Sequence, residues 1–503
     1  MKNMKTKTLI ISLVILLLTS CTKNKYIDIS QDILFDKVKG AWAGQTLGCT
    51  YGGPTEFRYC GVMIDDTVSI PWSDNELQKW YDGGGGLYDD IYVDLTFVEA
   101  IEKYGLDVSA DSLAAVFMSK EYPLCHANQQ ARYNLLQGLT PPECGYWMNN
   151  PHADCLDFQI EADFAGIMSP GMVNSSSDIC DRAGHIMSYG NGWYGGVYVA
   201  AMYALAYIYN DINLIVSEAL KVIPVQSEFY ACMQDIINWH KEYPNDWKKT
   251  WNEIEKKWSD EISCPDGVQA PFNIGTPINC GYIILGLLYG QGDFEKTIDI
   301  STRAGQDSDC NPASSGGILG TLLGYSNIPE KYRIPLEKVA DLPFNHTEYS
   351  LNKAYEISLK HALAMIEKNG GKVKDNLVSI RSQKIEPVRF EESFSDLKIV
   401  GKEALNISVR DFECIEFEGT GAVLKGMVKG EAPLDYVAEL EIYFNDKLVE
   451  VCKLPLMYNH RKHELFFNYK QPKNKYKVTC KWKNPVDNAD IWISDVIFYS
   501  KKE

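Results

Sequence analysis

Two acidic clusters far apart in the chain, Tyr88-Asp89-Asp90 and Gln306-Asp307-Ser308-Asp309-Cys310-Asn311, each stand where a loop enters an apolar helical pattern. Folding that joins them would crowd the carboxylates of Asp89, Asp90, Asp307 and Asp309 together. Carboxylates a few ångströms apart repel strongly at a protein-like dielectric and must take up protons, separate or find a counter-ion. A hard divalent cation removes the conflict, because Mg²⁺, Ca²⁺ and Mn²⁺ prefer oxygen ligands. Each pair taken alone has a second reading as a helix cap, since Asp is favoured there and interacts well with the helix dipole.

The flanking residues are those that would position such a cluster. A Gly83–Gly86 run precedes Asp89, and Ile91, Leu95, Val98 and Ile101 then recur at helical spacing. On the other side Phe294, Ile298 and Ile300 lead through Arg303-Ala304-Gly305 into the acidic loop, and Ile318, Leu319, Leu322 and Leu323 form a further apolar face. Gly316, Gly317, Gly320 and Gly324 in that segment predict closely packed helices. Val197 to Ile208 reads as a buried core helix too short to span a bilayer. Leu351 to Lys368 reads as a last amphipathic helix, ended by Gly370-Gly371.

After about Val378 the pattern changes to short alternating runs, such as Val437–Phe444 and Tyr476–Trp482, separated by turn signals at Asn445-Asp446 and Asn484-Pro485. Period-two strands spaced in this way predict an antiparallel β-sandwich, jelly-roll-like. Trp482, Trp492 and Tyr458 are either sugar-stacking residues of a binding module or aromatics of a structural cap, the latter favoured because sandwich cores need such side chains.

Five segments, in order, resemble blocks of the ADP-ribosylglycohydrolase family. Gly44-Gln45-Thr46-Leu47-Gly48 with Glu56 downstream is similar to its opening block, and Leu87-Tyr88-Asp89-Asp90 to its Thr-Asp-Asp-Thr motif. Phe158–Phe164 and His185–Gly196 are similar to central blocks that line the substrate cleft, and Gly305–Asn311 to the second metal motif. The resemblance covers roughly Ile33 to Lys368. It implies an all-α bundle holding a pair of Mg²⁺ ions against a ribose-containing substrate, followed here by the β-sandwich, with units at 1–21, 22–372 and 373–503.

Carried over by position, Asp89, Asp90, Asp307 and Asp309 become metal ligands with Cys310 beside them, and Glu56 the acidic residue of the chemistry. Glu161, Asp163, His185, Asn191 and Tyr194 become substrate-binding candidates. Glu161 and Asp163 also compete with Glu56 for the proton-handling role, and their other reading is a solvated loop or N-cap pair. In the Gly-rich block Ser188–Gly196, small residues suit a cleft wall on which Trp193 or Tyr194 stacks. The block lacks the Lys and preceding strand of a phosphate loop.

Departures from the family pattern matter. Tyr88 and Ile91 stand where the family has Thr, Cys310 replaces a Thr that helps hold the second ion, and Gln45 replaces an Asp. A phenol, an alkyl group and a thiol are poorer Mg²⁺ ligands than a hydroxyl. One ion in place of two, with Mn²⁺ as a substitute, and a changed substrate are both consistent with this.

Breaking a glycosidic bond through an oxocarbenium-like transition state needs an acid or base and either a carboxylate nucleophile or an activated water. The sequence therefore predicts a metal-dependent glycoside hydrolase acting on a ribosyl or related furanosyl N- or O-glycosidic bond in a small molecule or glycan. The alternative is a catalytically silent glycan- or nucleotide-sugar-binding lipoprotein on the same fold.

Lys2, Lys5 and Lys7 precede an apolar run from Leu9 to Leu18, and Leu18-Thr19-Ser20-Cys21 matches a bacterial lipoprotein signal. The expectation is an exported protein, lipidated at Cys21, on the outer membrane and attached to the bilayer through the lipid anchor only. A formal net charge of -18 with no basic patch argues against a nucleic-acid partner. Thirteen cysteines besides Cys21 leave at least one unpaired within the monomer, and the lack of any Cys-x-x-Cys pair argues against a structural zinc site.

Overall fold

The computed structural model describes residues 26–83, 87–260 and 263–502. The leader and lipidation expectations at Lys2–Cys21 lie outside these residues. Strand β1, Tyr26–Ser30, ends at a residue whose hydroxyl accepts the Ile33 amide at 3.2 Å and so starts the long helix Gln31–Gly52. That helix is buried from Gly40 to its end because the Cys310–Leu323 helix lies directly along it. Gly40, Gly44, Gly48 and Gly52 repeat once per turn on the contact face. A Cβ there would stand 2.1, 2.1, 1.9 and 1.7 Å from the backbone oxygens of Gly320, Gly316, Pro312 and Ser308. No side chain separates the two backbones.

Lys37 closes the far end of this pair. Its ammonium is buried and donates to the carbonyls of Ala206, Thr321 and Leu322 at 3.0, 3.1 and 2.8 Å, the end of a helix where cations are favoured. The Asn191–Ala206 helix is buried at every position, as is Thr276–Gly290. The core helix expected at Val197 thus begins six residues earlier, and the Gly-rich block forms its first turns. Asp89–Tyr104 and Leu351–Lys368 are helices as their periodicity predicts.

After the last helix, β2 (Lys372–Lys374) and β3 (Leu377–Arg381) form a three-stranded sheet with β1, in order β1-β3-β2. Ile27 pairs with Ile380 and Ile29 with Val378. The strand that completes the helical unit therefore lies past residue 372, where the sequence reading ends that unit.

Strands β4 (Leu397–Ser408), β5 (Ile415–Gly419), β6 (Gly421–Gly430), β7 (Val437–Phe444), β8 (Lys447–Pro455), β9 (Phe466–Asn468), β10 (Asn474–Trp482) and β11 (Ala489–Lys501) form two antiparallel sheets, β5-β10-β7-β8 and β4-β11-β6-β9. Alternate residues of β7, such as Leu440 and Ile442, face the core between them. Trp482 is buried, with its indole N–H donating to the Tyr436 hydroxyl at 3.0 Å. Tyr458 lies against the helical unit, its carbonyl accepting from Gln129 at 2.7 Å. These two aromatics serve packing and docking. Among the described residues no helix is long and apolar enough to cross a membrane.

Candidate active site

The glycine-packed helix pair fixes the acidic loop. Ser308 and Asp309 meet the end of Gln31–Gly52 at Gly52, and the chain then turns through Thr55 and Glu56. Thr55 Oγ1 lies 2.9 Å from Ser308 Oγ. Gln306, in the left-handed region at φ 55°, binds across three loops. Its amide donates to the Tyr59 carbonyl at 2.9 Å, its carbonyl accepts from the Phe57 amide at 3.1 Å, and its side chain reaches Pro271 and Asn273. Glu56 and Asp307 are in this way held face to face.

Asp89 and Asp90 open the Asp89–Tyr104 helix and Asp309 stands at the N-cap of Cys310–Leu323, yet neither N-cap residue makes a side-chain capping bond, and only the Asp90 amide donates to a side chain of the pair, Asp89 Oδ1 at 3.2 Å. The capping reading is not what the geometry shows. Asp89, Asp309 and Cys310 bring ligand atoms within 4.8 Å of one another, and so do Glu56, Asp307 and Asp309. Asp309 belongs to both groups.

Asp90 is buried, with both carboxylate oxygens lacking a hydrogen-bond partner, as do Oδ1 of Asp307 and Oδ1 of Asp309. Orphaned buried oxygens are costly. Burial first, then neighbouring carboxylates, push Asp89, Asp90 and Asp309 well above the usual range, and burial raises Asp307 as well. Glu56 stands at the rim, where burial of its inner side and the charge of Asp307 push it up to about 7. An oxygen-rich set with unsatisfied atoms fits a hard divalent cation, the thiol of Cys310 being the one soft member.

A cavity of about 210 Å³ opens onto these groups, lined by Glu56, Asp89, Asp307 and Cys310 on one side and by Tyr92, Leu124, His126, Asn128, Asp157 and Glu161 on the other. Glu161 is buried and accepts from the Asn128 side chain. Burial and Asp157 hold its carboxyl well above the ordinary range. Sequence reasoning missed His126, Asn128 and Asp157. Behind His126 lie His152 and His463, both of which burial pushes down to about 3. A larger groove of about 540 Å³ between the helical unit and the sandwich has Asp396 as its one acidic lining residue, so it lacks the paired carboxylates that glycoside chemistry needs.

Several expected residues lie elsewhere. Asp163 is not in the cavity lining. It accepts from the Tyr203 hydroxyl at 2.7 Å in a buried polar layer with Asp94 and Gln45, and burial pushes it up to about 8. His185, Asn191 and Tyr194 are also outside it. Asn191 donates to Glu228 at 3.2 Å, and His185 Nε2 meets Glu391 at 3.1 Å. The Tyr194 hydroxyl contacts the backbone at Arg389 and Glu391. Trp193 and Tyr194 are fully buried and have no face on which a sugar could stack. This block docks the segment that leads into the sandwich. Tyr88, at the family's Thr position, shares a hydrogen bond with Thr50 at 2.9 Å and packs on Tyr81 and Phe344, inside the core.

A model of the ADP-ribosylglycohydrolase family matches residues 30–357. The chain belongs to the ADP-ribosylglycohydrolase family. Its helical unit has that fold, with the antiparallel sheets following at 372–501. No curated protein matches the chain. Among solved structures, an ADP-ribosylglycohydrolase-related protein complex aligns at 14% identity over 66% of this chain and 99% of that one, with a TM-score of 0.44. Membership of this family gives the chain a glycohydrolase-like function at the coarse level. The acidic groups described above are candidates to hold the ion on which such enzymes typically depend.

Proposed function

We propose that this ADP-ribosylglycohydrolase family member is a metal-dependent hydrolase of a ribosyl or related furanosyl glycosidic bond. The observation that carries the reading is the convergence of Glu56, Asp89 and Asp307 on one cavity, from segments more than two hundred residues apart, with Asp309 close behind them in both acidic groups. The cavity's volume is below the roughly 300–1,000 Å³ of sites that enclose a whole drug-sized ligand. It suits one sugar ring, with the rest of the substrate outside.

Asp89, Asp90, Asp307 and Asp309 would hold Mg²⁺ or Mn²⁺, one ion or two, and a bound cation would supply charge stabilisation and a water of lowered pKa. Glu56, at the rim beside these carboxylates, is placed to protonate a leaving oxygen and then accept a proton from water, the role of a general acid and base; in the ion-free protein burial and Asp307 push it up to about 7. Glu161, whose carboxyl burial and Asp157 hold well above the ordinary range, lines the cavity and is placed to hydrogen-bond a ring substituent. Tyr92, Leu124, Leu156, Ile160 and Ile274 exclude bulk water from the reacting carbon. The Lys2–Cys21 pattern supports an exported, lipid-anchored enzyme, which would meet glycans and nucleoside debris.

The test is hydrolysis of ADP-ribosylated protein, ADP-ribosyl nucleosides and a panel of furanosides, with Mg²⁺ and with chelator. Glu56→Gln is expected to lower kcat by about 10²–10⁴-fold, and Asp309→Asn to remove the Mg²⁺ dependence. Unchanged hydrolysis in both variants would reject these roles. Tight sugar binding with no turnover of any substrate would leave the silent binding protein as the reading.

A further inference from the structure

We propose that His126, His152, Asp266 and His463 form a second metal site, for zinc or a similar borderline transition ion, that joins the β-sandwich to the wall of the cavity. Three of the chain's eight histidines meet here, their ring centroids 5.6, 5.1 and 4.5 Å apart in the pairs 126–152, 126–463 and 152–463. One ligand atom from each of the four residues lies within 4.8 Å of all the others. His126 and His152 come from the helical unit, Asp266 from the loop before the Thr276–Gly290 helix, and His463 from the segment before β9.

The orientations are those of a ligand set. His152 Nε2 meets Glu464 Oε1 at 2.8 Å, and its Nδ1 lies 3.3 Å from Cys155 Sγ and 3.8 Å from Asp266 Oδ2. His463 Nδ1 meets the Tyr458 hydroxyl at 2.7 Å, which leaves its other ring nitrogen for the cluster. An outer carboxylate or hydroxyl that fixes the imidazole tautomer is the usual support of a metal-bound histidine. Lys425 occupies Asp266 Oδ1, so Oδ2 is the atom that faces inward.

His126 Nδ1 and Asp266 Oδ2 lie 2.9 Å apart as an ion pair, adjacent positions from which both could bind one ion. Three nitrogens and one oxygen match a four-coordinate zinc site and not the all-oxygen preference of Mg²⁺. The expectation against structural zinc rested on cysteine spacing alone, and histidines donated by two separate units carry no such short-range signature. Because His126 also lines the cavity, the ion makes the sandwich part of the site's framework.

The test measures metal in the full mature chain by mass spectrometry after equilibration with zinc and dialysis, with cobalt substitution read by visible absorption. About one zinc per chain is expected, retained in Asp309→Asn and lost in His152→Gln and His463→Gln, each checked for folding by circular dichroism. Glu464→Gln is expected to weaken zinc binding by about 10–100-fold. The nearby Cys155 and Cys264 sulfurs, 2.6 Å apart, are the competing ligands. The cobalt form of the unaltered chain should therefore show a tetrahedral spectrum without thiolate charge transfer. Absence of tightly held zinc in the folded chain, its full retention in His463→Gln, or a thiolate band would each overturn the assignment.

Discussion

Two interfaces assemble this molecule, and they are built from different materials. The helices Gln31–Gly52 and Cys310–Leu323 touch backbone to backbone at four successive glycines, whereas the sandwich and the segment leading into it meet the helical unit through an apolar patch, Trp147 and Val268 against Phe394 and Tyr469, and through polar side chains such as His185, Tyr194, Gln129 and Lys425. Direct backbone contact has no rotamers to adjust, and it sets the position of Asp307 and Asp309 relative to Glu56. A contact made by ionisable groups depends on their protonation and on bound ions. The difference teaches that the acidic centre is fixed by shape, while the seam adds to its apolar patch a set of charged contacts that pH and ions can alter.

The sharpest way to break this contrast is Gly48→Ala. A methyl group 1.9 Å from the Pro312 carbonyl oxygen must force the helices apart, at an expected cost of about 3 kcal/mol. Denaturant unfolding would measure it. Hydrolysis should fall with it, while the seam contacts stay intact by hydrogen exchange. A fully stable, fully active variant would show that the glycine contact does not position the carboxylates.

Next in size is the effect of Mg²⁺ on thermal unfolding. Folding raises the carboxyls of Asp89, Asp90 and Asp309 above their ordinary value of 3.8. The ion-free folded state therefore binds protons more tightly than the unfolded chain, is helped as pH falls, and is penalised as pH rises above the ordinary carboxylate range. Mg²⁺ relieves that penalty. Its stabilisation, about 2.7 kcal/mol at a hundredfold excess over Kd, should be larger at pH 8 than at pH 5. An equal shift at both values would separate the metal from these carboxylates.

The smallest expected effect tests the seam. His185 pairs with Asp181 and Glu391, which outweigh its burial and raise it from 6.5 to about 9. Glu391, despite burial, is held below its ordinary value of 4.5 by His185 and Arg389. A raised histidine contributes its full stability below its unfolded pKa and loses it as pH climbs through about 9. The lowered Glu391 contributes above its unfolded value of 4.5 and loses its share as pH falls through its folded pKa. Docking of the 386–394 segment should accordingly be firmest between about pH 4.5 and 6.5. His185→Gln is expected to cost about 1–2 kcal/mol in that window and little above pH 9, read by proteolysis of this segment.

What the sequence made legible follows the same division. The acidic pairs were readable because each sits at a loop-helix junction beside glycines, and the sandwich because period-two strands are separated by turn residues. The helix Leu351–Lys368 carried both its apolar stripe and its Gly-Gly stop. The spacing of Gly40, Gly44, Gly48 and Gly52 was also on the page, a signal for close approach that periodicity of apolar residues overlooks.

The seam was not legible. A Trp-Tyr pair among glycines reads alike on a cleft wall and in a core, so only packing shows that Trp193 and Tyr194 are interior. Glu161 and Asp163 are two positions apart, yet one reaches the cavity and the other a buried polar layer, because the short helix Asp163–Ile167 turns the second carboxylate toward Tyr203. His126, His152 and His463 become neighbours only through contacts between distant segments.

The pairing of β1 with β3 bears on any attempt to excise the helical unit. A fragment stopped at Lys368 would strip Ile27 and Ile29 of the strand they zip against and expose a bare edge beside the start of the longest helix. Such an edge is an invitation to self-association. The smallest piece with both ends tied down begins before Tyr26 and runs beyond Arg381.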